Sequence, residues 1–404
     1  MDSITPKQAG FSPLRLQHLD AALQRYVDEG RIAGMVALIA RHGRTIHQVC
    51  LGSMDVEAHK PMQHDTIFRI ASMAKPITAV AVMMLCEQGL LDLDDPIADY
   101  IPAFRDTPVY AETLPGLAVT GREAEITLRH LLTHTSGICL GADQSSPLDA
   151  LYCETVDRLR NTPGTTNQTA IQELAKLPLA FQPGSGWRYG LSFEVLAALV
   201  EIVSGEWFDM FLKRRILEPL RMEDTGHIVP RENAARLAAL YGTSEMGERK
   251  LIEAPANSPH VLPPSFQYES GTAWLPGGGM MVSTISDYAR FVHMLLNGGS
   301  LDETRLLDPK TVQRMTTNLL PDSLLPFAPE HRGYGHGLGV RVRLDAADGT
   351  GSIGEFTGDG GHGTYFWADP KEGLLGLLMI QLNPNPSSVH GEFRTLTYQA
   401  LEPH

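Results

Sequence analysis

Apolar residues recur at helical spacing over residues 14–27, introduced by Ser12-Pro13 and closed by Gly30, and predict an amphipathic helix. The pattern then changes. Residues 35–40 are an unbroken apolar run, Arg41-His42-Gly43-Arg44 is turn-like, and 45–51 follows, which predicts a β-hairpin. Residues 72–88 are apolar on nearly every face, as in a buried helix, and Gly89 ends it. Residues 90–100 read as a loop in which Pro96 opens a short helix. From about Phe104, helical segments (127–133, 169–177, 193–203, 207–216) alternate with polar loops, one of them over 161–168. Breaks at Pro263-Pro264 and Gly277-Gly278-Gly279 precede a helix over 286–296, which stops at Asn297-Gly298-Gly299. β-type runs return at 337–344, 363–367 and 374–381, and a last helix covers about 389–400.

Strands at both ends with helices between them predict an α+β fold: an antiparallel sheet flanked by helices, built from both ends of the chain. At 404 residues the chain exceeds the size at which one core stops growing, so two lobes are expected. The boundaries place 1–103 and 265–404 in an α/β lobe and 104–264 in an inserted, mostly helical lobe. A ligand site is expected in a cleft between them.

Charge excludes one class of partner. The net charge is −14, and no Lys/Arg block or basic stripe with interleaved aromatics is present, so a nucleic-acid partner is not expected. No run of about 18 apolar residues predicts a membrane span. The first twenty residues lack a basic start followed by an apolar core, so no signal peptide is expected. Cys50, Cys86, Cys139 and Cys153 form no C-x-x-C pair and read as free thiols of a cytoplasmic protein.

Three segments carry candidate chemistry. Ser72-Met73-Ala74-Lys75 is an S-x-x-K at the start of the apolar helix, and Ser72 is the only serine three positions before a lysine. A serine in a first helical turn lies near the positive end of the helix dipole, and residue i+3 shares its face. A lysine among Met73, Ile77 and Val80 is desolvated, which favours the neutral amine a base needs. Tyr189 stands at the mouth of the helix over 193–203, where its hydroxyl can enter a cleft. The glycine-rich stretch 354–363 leads into a strand, and its backbone N–H groups could share an oxyanion with that of Ser72. Each segment also has a plainer reading: a helix-capping serine with a solvated lysine, a tyrosine packing a loop, a glycine-rich turn. His130 and His134 have the i, i+4 spacing of a zinc pair but no glutamate after the first and no evident third ligand, so no metal is expected. No G-x-S-x-G elbow, P-loop or dinucleotide fingerprint is present.

In this order and spacing, the three segments resemble the serine β-lactamase superfamily, with the nearest likeness to class C β-lactamases, D-alanyl-D-alanine peptidases and family VIII carboxylesterases. Ser72 and Lys75 match its S-x-x-K, Tyr189 the tyrosine of its Y-x-N, and Gly358-Asp359-Gly360 its K-T-G. Residues 126–137 and 287–291 add support. The resemblance implies a β-lactamase-like fold and a two-step mechanism without metal or cofactor. Ser72 is then the nucleophile, Lys75 and Tyr189 the bases, and the N–H groups of Ser72 and Gly361 the oxyanion hole. Arg188, Leu191, Gly358, Asp359, Gly360 and His362 become candidate substrate contacts. Two departures bear on substrate. Leu191 replaces an asparagine that holds a substrate amide, and Gly358 replaces a lysine that attracts a substrate carboxylate. A small neutral ester is the expected substrate. Acyl transfer to an alcohol, as in the fungal polyketide acyltransferases of the superfamily, is the alternative, followed by β-lactamase or peptidase chemistry and, last, a non-catalytic binding module.

Overall fold

A computed structural model describes residues 3–111, 118–143, 145–243, 249–261, 273–347, 349–384 and 387–402. The break expected at Pro263-Pro264 lies outside them. Helix α1 (Pro13–Asp28) starts where its signals place it, with the Ser12 side chain accepting from the Arg15 N–H and Pro13 in the first turn. β1 (Gly34–Arg41) and β2 (Arg44–Asp55) form the predicted hairpin, and β3 (Lys60–Pro61) pairs beyond it.

The remaining strands of the main sheet come from the far end of the sequence: β4 (Tyr334–His336), β5 (Arg341–Arg343), β6 (Phe356–Asp359), β7 (Tyr365–Asp369) and β8 (Leu374–Ile380). Their order is β4-β5-β6-β7-β8-β1-β2-β3, antiparallel throughout. The run expected over 337–344 is instead the edge hairpin β4–β5, turning at Gly339 in the left-handed region.

The two central strands, β1 and β8, pair from Met35↔Ile380 to Arg41↔Leu374. Both are buried along their whole length, which is why they read as continuous apolar runs. Their side chains still alternate. Val36, Leu38, Leu375, Leu377 and Met379 enter one core, while Met35, Ala37, Ile39, Leu374 and Leu378 enter another beneath α1 and α10 (Ser387–Ala400).

The first core is filled by helices. Residues Ala71–Met73 form a 3₁₀ turn that leads into α2 (Ala74–Glu87), so the single helix expected from Ser72 starts two residues later. Then follow α3 (Leu128–Leu132), α4 (Pro147–Asn161), α5 (Asn167–Leu174), α6 (Ser192–Ser204), α7 (Phe208–Leu212), α8 (Ile285–Leu296) and α9 (Pro309–Met315). α4 and α9 were not evident from the pattern. α4 shortens the loop expected over 161–168, since Asn161 ends it and Asn167 already opens α5. The buried α2 packs against α6, and this contact brings two of the candidate segments together.

Candidate active site

Ser72 is fixed from both sides by backbone hydrogen bonds. Just before it, Phe68-Arg69 pairs with Val282-Ser283, and the Ile70 N–H donates 2.9 Å to the Met281 carbonyl. Just after it, the Tyr288 hydroxyl donates 2.8 Å to the Met73 carbonyl. Between them Ala71 takes φ = 45°, left-handed backbone that a non-glycine residue adopts at a cost of about 1–3 kcal/mol. The strain sits next to the candidate nucleophile.

Tyr189 arrives on an extended segment laid along residues 134–139. The Arg188 N–H donates to the His134 carbonyl and the Leu191 N–H to that of Cys139. The His134 ring packs on the Tyr189 ring at 4.7 Å between centroids. Gly190 is required here, because a Cβ would lie 1.8 Å from the Ile138 carbonyl oxygen. His130 turns the other way, its Nδ1 accepting from the Thr127 N–H at the cap of α3. The i, i+4 histidines therefore serve two separate packing tasks.

These constraints bring the two motifs into contact. Ser72 Oγ lies 2.5 Å from the Tyr189 hydroxyl and 3.3 Å from Lys75 Nζ. Lys75 is buried, donates 2.6 Å to the Gly278 carbonyl, and sits 4.6 Å above the Tyr189 ring centroid. The glycine loop is thereby explained. A Cβ on Gly278 would approach Glu194 Oε1 to 2.7 Å and Lys75 Nζ to 3.1 Å.

Glu194, in the first turn of α6, was missed at the sequence level. It is buried, and among the described residues its Oε2 has no hydrogen-bond partner. Burial pushes its carboxyl up, against the opposing pull of the Lys75 charge and of backbone N–H groups. A signal existed: Glu194 and Glu201 are the acidic residues of an otherwise apolar helix and lie seven apart on one face. Glu201 is structural, accepting from Asn167 Nδ2 and the Phe208 N–H.

Ser72, Lys75 and Tyr189 open on a cleft of about 220 Å³, whose lining includes Leu191, Glu194, Gly278, Trp274, Arg160, His260 and His362. A larger cavity of about 550 Å³, around Met222, His227 and Val229, touches the cleft only through Met281 and holds none of the three motif residues. The reactive grouping decides in favour of the smaller one.

The predicted substrate contacts divide. Leu191 and His362 line the cleft, and among the described residues no partner meets the buried His362 Nδ1. Arg188 does not line it: its guanidinium is ion-paired with the buried Asp149. Gly358 faces Phe366, whose ring would meet a Cβ at 2.7 Å, so this position does not point a side chain into the cleft. Asp359 is paired with Arg341 at 2.9 Å. Burial raises its carboxyl, but Arg341 and His390 together hold it below the ordinary value. Gly360 presses on the Ile70 carbonyl, which also accepts from the Thr364 hydroxyl at 3.2 Å, so the strand end abuts the segment carrying Ser72. Gly361 is exposed at that turn and has open space around its Cα. The cation on the cleft lining, apart from Lys75 and the Glu253-paired Arg69, is Arg160 at the end of α4.

A sheet assembled from both ends, with a serine, a lysine and a tyrosine converging on one cleft, matches a known family. The Beta-lactamase family model covers residues 19–400. The chain belongs to the β-lactamase family. It is 34% identical over 385 residues to protein Rv1367c of Mycobacterium tuberculosis, spanning 93% of this chain and 92% of that one. It is 36% identical to the esterase EstB of Burkholderia gladioli over 294 residues, 71% of each chain. Among solved structures it is similar to EstCE1, described as a hydrolase with promiscuous acyltransferase activity, with a TM-score of 0.77, 27% identity and coverage of 95% and 98%. It is likewise similar to the simvastatin synthase LovD of Aspergillus terreus, with a TM-score of 0.78, 25% identity and the same coverage. The fold is β-lactamase-like. Among the described residues, no helix is long and apolar enough to cross a membrane.

Proposed function

We propose that this member of the β-lactamase family is a serine hydrolase that cleaves small neutral carboxylic esters through an acyl-Ser72 intermediate. The observation that carries the reading is the 2.5 Å approach of Ser72 Oγ to the Tyr189 hydroxyl, with Lys75 Nζ at 3.3 Å, on the wall of a cleft. Relatives named for ester hydrolysis and acyl transfer support an ester hydrolase or acyltransferase as the class.

In the first step the Tyr189–Lys75 pair accepts the Ser72 hydroxyl proton as Oγ attacks the ester carbonyl. The backbone N–H groups of Ser72 and Gly361 hold the oxyanion. The bond from carbonyl carbon to alcohol oxygen breaks, and the pair returns the proton to the departing alcohol. In the second step water attacks the acyl-enzyme, Tyr189 takes its proton, and Ser72 leaves as the restored hydroxyl. An alcohol in place of water gives acyl transfer, the reading that the described activity of EstCE1 favours as a second possibility.

Substrate neutrality rests on the cleft wall. Leu191 offers no amide partner, Arg69 is paired with Glu253, and Arg188, which lies off the cleft, is spent on Asp149. Four free cysteines support a cytoplasmic location. A fluorophosphonate should label the protein at one peptide, with the adduct on Ser72. An adduct on any other serine, found by mass spectrometry, would refute the assignment. p-Nitrophenyl butyrate should exceed a chromogenic cephalosporin in kcat/KM, and equal values would remove the neutral-ester preference.

A further inference from the structure

His260 and His362 reach the cleft from separate segments, and neither is used in the steps above. His260 is buried, and its ring has a fixed orientation. Nδ1 lies 3.0 Å from the backbone carbonyl oxygen of His227. A carbonyl can only accept, so Nδ1 carries the proton and Nε2 of the neutral ring is left with a lone pair. Among the described residues no donor is bonded to that Nε2. Protonation is opposed on several sides: burial acts first, and the Arg69 charge adds to it, against the pull of the His227 carbonyl and Glu253. A charge on His260 also disfavours one on His362. The cleft that holds the candidate nucleophile therefore also presents an oriented, neutral acceptor.

Resting on the ester reading, we propose that His260 Nε2 is the cleft's specificity determinant, accepting a hydrogen bond from a hydroxyl carried by the substrate. The preferred substrates are then short hydroxylated esters, with the hydroxyl on the acyl or the alcohol half. The physical basis is an asymmetry: a buried acceptor left without a donor penalises the analogue that lacks the hydroxyl. A uniformly apolar pocket would favour that analogue.

Two near-isosteric pairs test this on the full-length enzyme. One is 2-hydroxyethyl butanoate against propyl butanoate. The other is p-nitrophenyl 3-hydroxybutanoate against p-nitrophenyl 3-methylbutanoate. In at least one pair the hydroxylated ester should be favoured in kcat/KM by about tenfold or more. His260→Phe should collapse that preference, and His260→Gln, which retains an acceptor near the same place, should restore part of it. Independently of any variant, nitrogen-15 imidazole correlations should find the His260 proton on Nδ1. Turnover of both pairs with ratios near one, or a proton on Nε2, overturns the role of His260 and leaves the esterase reading standing. No turnover of any of the four esters overturns the esterase reading and this inference with it.

Discussion

Two buried carboxylates in this molecule have been given opposite surroundings. Glu355, between the sheet and α10, is fully enclosed. Arg394 meets it with Nε at 2.9 Å from Oε1 and Nη2 at 2.8 Å from Oε2, and the Tyr398 hydroxyl lies 2.7 Å from Oε2. Tyr398 also reaches Asp369 at 2.9 Å, and Arg394 is bound further to Thr350. Every neighbour in that network is occupied. Glu194 in the cleft keeps an Oε2 that no described residue meets, and close by Lys75 bonds to the Gly278 carbonyl and the Ser72 hydroxyl. A closed polar network holds structure together, whereas one with unused valences can exchange a proton with something that arrives.

The comparison can be broken first at the open end. Lys75→Ala and Tyr189→Phe should each lower kcat by about 10²–10⁴, and the Tyr189→Phe protein should keep its melting temperature nearly unchanged. The double variant should lose little more than either alone, since the groups act as one unit. A Tyr189→Phe enzyme with full turnover would remove Tyr189 from the chemistry.

The closed end should answer in stability. Arg394→Met leaves Glu355 buried without its ionic partner and should cost about 3–5 kcal/mol in urea unfolding. The protein that stays folded should retain its kcat. A loss of turnover without a loss of stability would show that the network belongs to the site.

Glu194→Gln sharpens the contrast. A carboxyl raised in the folded state binds more protons there than in the unfolded chain. It therefore costs stability progressively as pH rises from its ordinary value of 4.5 through its raised folded value. The variant should be more stable than the parent at pH 8 and no more stable below pH ~4, with a slope between of at most about 1.4 kcal/mol per pH unit. Removing an anion beside a base should also move the rising limb of the pH–rate profile to lower pH. An unchanged profile would separate Glu194 from the proton-transfer groups.

The smallest effect belongs to the rim. Arg160→Ala should reduce turnover of an anionic ester or a cephalosporin several-fold at low salt and leave neutral esters alone, because an exposed charge is screened. An equal loss for neutral esters would assign Arg160 a packing role.

Much of this was legible in the chain because the signals were local. The caps of α1, the two-face burial of β1 and β8, and the Ser72–Lys75 spacing depend on neighbours a few residues away. α4 was not evident because its polar half resembles the loops beside it. Arg188 and Gly358 stand off the cleft lining for one shared reason. Proximity along the chain to Tyr189 or to the glycine-rich turn does not fix where a side chain points, and Asp149 and Phe366 come from elsewhere in the sequence. His260 and Arg160 carry no motif at all. They enter the cleft only because the fold brings segments far apart in the sequence onto one surface.

The pairing of β1 with β8 also dictates a timetable for biosynthesis. The strand at residues 34–41 emerges early but has no partner on its β8 side until residues 374–380 have left the ribosome. Gly360 and Thr364, which brace the segment before Ser72, are made hardly sooner. Until then the nascent chain carries an apolar strand with one edge open to mispairing. The same delay leaves the segment before Ser72 unbraced until Gly360 and Thr364 have been made.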